Sequence, residues 1–180
     1  MFGLLASGFD SACYDGQFFF DTDHPVTDAA GATATVSNFQ GGSGTPWYLL
    51  DTSRAVRPII WQEREKYEFQ QLTQETDEYV FKTDRYLYGI RARINAGFGL
   101  WQLAYGSKQT LTAANYAAAR AAMQTFTSDG GRKLGVNRNV LVVPPALEEA
   151  ALNLLNTEYG AGGASNPWKG TAQLIVTPYL

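Results

Sequence analysis

An α+β domain is what this sequence predicts, and three stretches carry the expectation. In Asn139–Leu155, NVLVVPPALEEAALNLL, a short apolar run passes directly into an amphipathic helical pattern. Between Trp47 and Tyr105 lies a long aromatic meander with period-two alternation. Thr112–Thr127 adds a second helical repeat. A chain of 180 residues is long enough to bury a sizeable core around such elements, as one domain or one large piece of a larger fold.

Taken in order, residues 1–9 suit one or two helical turns stopped near Gly8. Phe2, Leu4, Leu5 and Phe9 read as the end of a helix entered midway, so an N-terminal truncation with Met1 added is expected. CYDGQFFFDTDHPV follows, with a turn at Asp15-Gly16 and a strand-like aromatic run, Phe18–Phe20. Residues 27–45 are rich in Ala, Gly, Thr and Ser without periodicity, which predicts a mobile surface loop ending in Gly41-Gly42-Ser43-Gly44. A strand-rich part is expected over 46–108. WYLLD (Trp47–Asp51) and PIIWQ (Pro58–Gln62) suit strands separated by the polar SRAVR, and Tyr67/Phe69 and Tyr79/Phe81 alternate with polar neighbours. Tyr86, Tyr88, Ile90, Ala92 and Ile94 alternate against Arg85, Arg91 and Arg93, which predicts a strand with one packed and one polar face. Gly97 and Gly99 mark a bend, after which Leu100–Tyr105 continues as extended chain.

The part over 109–180 is expected to run helix–strand–helix–strand. Thr112 is a suitable N-cap, and Tyr116, Ala119, Met123 and Phe126 recur at helical spacing. Asp129-Gly130-Gly131 closes this helix with a turn. Val140–Val143 suits a strand buried on both faces. Pro144 and Pro145 end it, since proline cannot donate to a ladder but costs nothing at the first helical position. Glu148 and Glu149 suit the positive end of the next helix, and Leu147, Ala151, Leu154 and Leu155 form its apolar stripe. A Gly-rich loop, Tyr159–Gly170, and a last strand, Ala172–Thr177, complete the pattern.

Composition narrows the function. An apolar fraction of 45% with 24 aromatics excludes a disordered chain. A net charge of −3 with both signs mixed gives no case for a dedicated nucleic-acid binder. Cys13 and His24 are each the only residue of their type, which excludes an internal disulfide framework and a cysteine/histidine zinc site; an intracellular folding compartment is expected. No apolar run approaches membrane-spanning length.

Asp21, Asp23 and His24 in DTDHP form the one local cluster with the chemistry for acid–base or metal work. No second histidine completes a coordination sphere, so a polar turn before Pro25 is the plainer reading. SDGGRK (Ser128–Lys133) lacks the glycine spacing and the Ser/Thr of a phosphate loop and follows a helix, so it reads as a turn. Cys13 with His24 could form a nucleophile pair, but a lone cysteine is more often a small packed hydrophobe. Arg54, Arg57, Arg91 and Arg93 could grip carboxylates within or between subunits.

Four pieces in one order carry a resemblance over nearly the whole chain: CYDGQFFFDTDHPV; PWYLLDTSRAVRPIIWQERE with YLYGIRARINAGFGLWQLA; FTSDGGRKLGVNRNVLVVPPALEEAALNLLN; and KGTAQLIVTPYL. Together they resemble the major head (capsid) subunit of Mu-like phages and prophages, the gene product T family. The resemblance implies the Hong Kong 97-type capsid fold, chiefly its axial domain with remaining peripheral-domain strands. Residues 1–9 would then be the end of the spine helix, and the N-terminal arm and extended loop of the family would be missing. It further implies a structural subunit of an icosahedral shell in the virion, made and assembled in the bacterial host cytoplasm. No catalytic site, metal or cofactor is implied. The implied partners are other copies in pentamers and hexamers, scaffold and portal proteins, and packaged DNA only non-specifically, with no membrane; a truncated chain would be monomeric or weakly oligomeric. Two other classes remain open: a hydrolase or metal-dependent enzyme using Asp21/Asp23/His24, which requires those side chains to converge in a pocket, and an aromatic-lined binding module, which requires a large apolar cavity.

Overall fold

The computed structural model describes residues 3–160 and 163–180. Phe2, part of the expected N-terminal helix end, lies outside them. The chain divides into two compact units, Met1–Ile60 with Phe98–Leu180, and Trp61–Gly97. The strand-rich stretch 46–108 therefore contributes to both.

The first unit is built on a five-stranded sheet of order β3-β7-β4-β8-β9, formed by β3 (Phe39–Gln40), β4 (Trp47–Leu50), β7 (Ala104–Ser107), β8 (Val140–Val143) and β9 (Gln173–Val176). β4 runs antiparallel to β7 and β8, with Leu49 opposite both Tyr105 and Leu141. β8 and β9 are parallel, Leu141 beside Leu174. Every residue of β4, β7 and β8 is buried, which is why WYLL and VLVV are unbroken apolar runs rather than alternating ones. β8 is interior, as its sequence requires, but the central strand is β4.

Two helices pack against this sheet. α3 (Ala113–Thr125) begins where Thr112 accepts a hydrogen bond from the Asn115 N–H, and it buries Tyr116, Ala119 and Met123. α4 (Glu148–Leu155) buries Ala151, Leu154 and Leu155. The prolines do not start α4 directly. Pro145–Leu147 first make a 3-10 turn, and the α-helix takes over at Glu148. α3 lies against β7 and α4 against β9.

N-terminal to the sheet, the short α1 (Gly3–Ser7) buries Leu5, and an aromatic cluster gathers on one sheet face. Phe9 meets Phe20 and Phe39 at 5.1 Å each, and Phe20 meets Tyr48 at 5.3 Å. Phe20 fits there because Gly8 and Gly106 have no side chains; a Cβ on either would stand 2.8 or 2.9 Å from its ring. Phe18–Phe20 is not a strand. Only an isolated bridge joins Phe18 to Ala12, because Phe19 and Phe20 are both drawn into the core.

Three further expectations are corrected. Residues 27–45 are not one loop: β1 (His24–Thr27) pairs antiparallel with β2 (Thr33–Val36), Val26 opposite Ala34. The Asp28 carboxylate closes the hairpin by accepting from the Ala30 and Ala32 N–H groups, and Gly31 supplies the positive φ of 84°. Tyr79 and Phe81 lie on α2 (Glu78–Thr83), not on a strand. Trp101–Leu103 is a 3-10 turn that buries Trp101 and Leu103, so the extended chain begins only at β7.

The second unit is chiefly a ribbon of β5 (Ile59–Leu72) and β6 (Leu87–Phe98), two long strands that begin and end in the first unit. In the first unit the Gly99 N–H donates to the Pro58 carbonyl at 2.8 Å, where the excursion leaves and returns. Glycine is required there, since an added Cβ would lie 2.1 Å from the Arg57 carbonyl oxygen.

One polar group has a structural task in the sheet unit. Asp51, fully buried, accepts hydrogen bonds from the Ser53 N–H and hydroxyl (2.9 and 2.6 Å), the Asn137 N–H (2.8 Å) and Arg54 Nε (3.3 Å). Burial pushes its carboxyl upward, but these donors outweigh burial and hold it below the usual range. A group depressed in the fold contributes stability above its ordinary value and loses it as pH falls through the folded value. Asp51→Asn is therefore expected to cost about 1.5–3 kcal/mol at neutral pH. Its difference from the parent chain in denaturant midpoints should shrink below about pH 4. A pH-independent difference would contradict the assignment.

Candidate functional sites

Asp21, Asp23 and His24 do not converge on one site: the two carboxylates are neighbours, but the histidine side chain finds its hydrogen-bond partners elsewhere. Asp21 turns back on its own chain and accepts from the Phe18 and Thr22 N–H groups at 3.2 and 2.7 Å. Burial raises the Asp21 carboxyl, but those N–H groups prevail and the net shift is downward. Asp23 is exposed, and the neighbouring Asp21 carboxylate shifts its carboxyl upward. His24 points the other way, into the core, with no exposed surface. The polar turn expected before Pro25 is thus a strand start with its histidine inside.

The partners of His24 come from elsewhere in the chain. Its Nδ1 lies 2.7 Å from an Asp15 carboxylate oxygen, and its Nε2 lies 3.1 Å from Asn38 Oδ1. The ring is stacked on the Trp101 indole, with centroids 4.1 Å apart and planes 9° apart. Buried Asn38 uses its Nδ2 to donate to the carbonyls of Phe19, Trp101 and Ala104, and its Oδ1 also accepts from the Asp21 N–H. All of these contacts are intramolecular and leave no approach for a substrate. Five open grooves of the surface are lined by other residues than Asp21, Asp23 and His24, and no group of three or more metal-binding side chains occurs among the described residues.

The other candidates are likewise structural. Cys13 is half-buried against the core, and burial raises its thiol, the opposite of activation. Ser128–Lys133 is a tight turn closed by a Thr127–Lys133 bridge, with Gly130 and Gly131 at positive φ. Arg54 ties Asp51 to the carbonyls of Leu134 and Gly135. Arg57 is exposed. Arg91 and Arg93 share Glu65 at 3.3 Å each on the exposed ribbon, a geometry of little net energy.

What remains is a surface. Along β5, Tyr67 and Phe69 are alternate residues and share a face, as do Tyr88, Ile90 and Ile94 along β6. Phe69 stacks on Tyr88 at 6.1 Å, which puts the two sets on the same face of the ribbon. The expected packed face is therefore present in sequence and unpacked in the fold. Tyr67 is 63% exposed, Phe69 60%, Tyr88 63% and Ile90 71%. The widest cavity among those described, an open groove of about 630 Å³, belongs to the sheet unit and is lined by Val56, Leu100, Leu103 and Leu134 with Arg54 and Asp129 among its polar residues. It uses none of the ribbon aromatics.

Comparison with known proteins gives one answer. Residues 1–180 match the family described as Mu-like prophage major head subunit gpT. The chain is 45% identical over 189 residues to the major capsid protein of Escherichia phage Mu, covering all of this chain and 62% of that protein. It is 43% identical to the Mu-like prophage FluMu major head subunit of Haemophilus influenzae, again over all of this chain and 62% of the relative. Among solved structures it resembles a chain of the procapsid of bacteriophage JBD30, with a TM-score of 0.85, 45% identity, and coverage of 99% of this chain and 62% of that one. A chain of the JBD30 capsid aligns with a TM-score of 0.81 and 25% identity over 99% of this chain and 61% of that one.

Proposed function

The chain belongs to the family of Mu-like phage major head subunits and has their Hong Kong 97-type α+β capsid fold, and from that premise we propose that it is a building block of an icosahedral phage head. It spans about 62% of the length of the curated relatives it matches, so the work of the whole protein is part of the proposal. The five-stranded unit with α3 and α4 takes the role of the axial domain, and the ribbon that of the peripheral strands. Subunit partners are further copies of the same chain, with scaffold and portal proteins during assembly in the host cytoplasm and packaged DNA touched only non-specifically. The role is structural, without a chemical step.

The match along residues 1–180 carries this reading. The ribbon supports it physically. A two-stranded ribbon is marginal by itself in water and needs another layer on its apolar face. In a shell, the surface available to each ribbon is another copy. Contacts around a five- or six-fold axis are head-to-tail, so each subunit presents two different surfaces. Association must first overcome an entropic cost of about 4–15 kcal/mol, which a few contacts of modest area meet only at high concentration. Sedimentation of this 180-residue chain is expected to show a monomer at micromolar concentration and rings of five or six copies near millimolar, without closed shells. Stable capsid-sized particles formed by this chain at micromolar concentration would overturn the expectation of a monomeric or weakly oligomeric chain.

A further inference from the structure

We propose that His24 is a buried imidazolium, with a proton on both ring nitrogens, that clasps the N-terminal segment to the β1–β2 hairpin and lets go when one proton is lost. The argument is a count of donors and acceptors. Asp15 Oδ2 is 2.7 Å from Nδ1, and an ionised carboxylate only accepts, so Nδ1 must donate. Asn38 Oδ1 is 3.1 Å from Nε2. Asn38 cannot turn its amide over, because its Nδ2 already donates to three carbonyls and its Oδ1 already accepts from the Asp21 N–H. Nε2 must therefore donate as well. A neutral ring in either tautomer would press a nitrogen lone pair against an oxygen lone pair in a dry site, at a cost that native interiors avoid.

The surroundings favour the same state. The charged group in contact with the ring is the Asp15 carboxylate, from the turn after α1, and Asp21 and Asp23, in the segment leading into β1, add negative charge at longer range. The Trp101 face stacked on it offers the electron-rich side of a π system to a cation. Trp101 in turn meets Phe126 at the end of α3, edge to face at 5.5 Å. One charged ring thus joins four pieces of chain: the Asp15 turn, β1, the segment holding Asn38, and the 3-10 turn of Trp101. The charge-assisted pair exists only while both ring nitrogens carry a proton, and it is lost when one of those protons is removed. The clasp therefore releases the hairpin on alkalinisation.

Because the chain has a single histidine, one ring spin system reports the state directly. Long-range proton–nitrogen correlation on the 15N-labelled chain at neutral pH should place both ring nitrogens at shifts of proton-bearing atoms. A bare nitrogen at either position would overturn the proposal without any variant being made. On raising the pH, loss of a ring proton should coincide with about ten- to hundredfold faster amide exchange at Val26 and Thr35 of the hairpin, the effect of losing a charged hydrogen bond. A ring that deprotonates with hairpin exchange unchanged would refute the clasp. Asp15→Asn should leave the ring neutral at neutral pH and produce the same acceleration; a ring still doubly protonated in that variant would refute Asp15 as its counter-ion.

Discussion

Replacing Leu141 by aspartate is expected to abolish the cooperative unfolding transition of the chain. Leu141 has no exposed surface and sits in interior strand β8 between Leu49 and Leu174. Strand alternation places it on the sheet face opposite the one where Phe20 meets Tyr48 and Gly106. Burying an unpaired carboxylate there costs several kcal/mol beyond the about 2–5 kcal/mol of the lost leucine packing. Domains of this kind hold about 5–15 kcal/mol in total, so the substitution consumes most or all of it. Leu141→Ala serves as the control and should lower the denaturant midpoint while preserving a single transition. An unchanged midpoint in the aspartate variant would mean that β8 is not interior.

The second large effect is on association rather than folding. The double substitution Phe69→Ser with Ile90→Ser should leave the melting midpoint of the sheet unit unchanged, since both side chains are largely exposed, 60% and 71%. Exposed substitutions away from special features stay within about 0.5 kcal/mol. If the ribbon face is covered by another copy, each subunit contact loses two apolar side chains worth about 1.5–3 kcal/mol apiece when buried. That weakens each contact by about two to four powers of ten. Rings seen with the parent chain at high concentration should vanish. Rings of undiminished stability would show that the aromatic face lies outside the contact.

Where burial is decided locally, the sequence is a reliable guide. VLVV followed by two prolines and two glutamates reads as a buried strand entering a helix, because the strand stop, the acidic first turn and the apolar stripe lie within one short segment. The prolines nevertheless make a 3-10 turn first, and Leu147 provides no side-chain cap. The Thr112 cap of α3 was legible for the same reason. β2 was not, because its Thr33, Ala34 and Thr35 all face solvent and leave no apolar period. The remaining signals were the β-branched residues themselves and the Asp28–Gly31 turn. In the ribbon the period of two was right and the burial wrong, since alternation reports which residues share a face and not whether anything covers it. The histidine site was hidden by distance. Its partners Asp15 and Asn38 are 9 and 14 residues away, while the adjacent Asp21 and Asp23, which drew attention, make no hydrogen bond to the ring.

The closed base of the ribbon has an evolutionary meaning. Because Pro58 and Gly99 are hydrogen-bonded to each other inside the sheet unit, the length of chain between them does not enter the geometry of β4 and β7. Doubling such an excursion adds only about 0.6 kcal/mol of closure entropy. Residues 61–97 can thus lengthen or shorten at little cost to the closure of the sheet unit. On the proposed role, in which copies meet through the ribbon, those contacts could change without passing through the stability of the core.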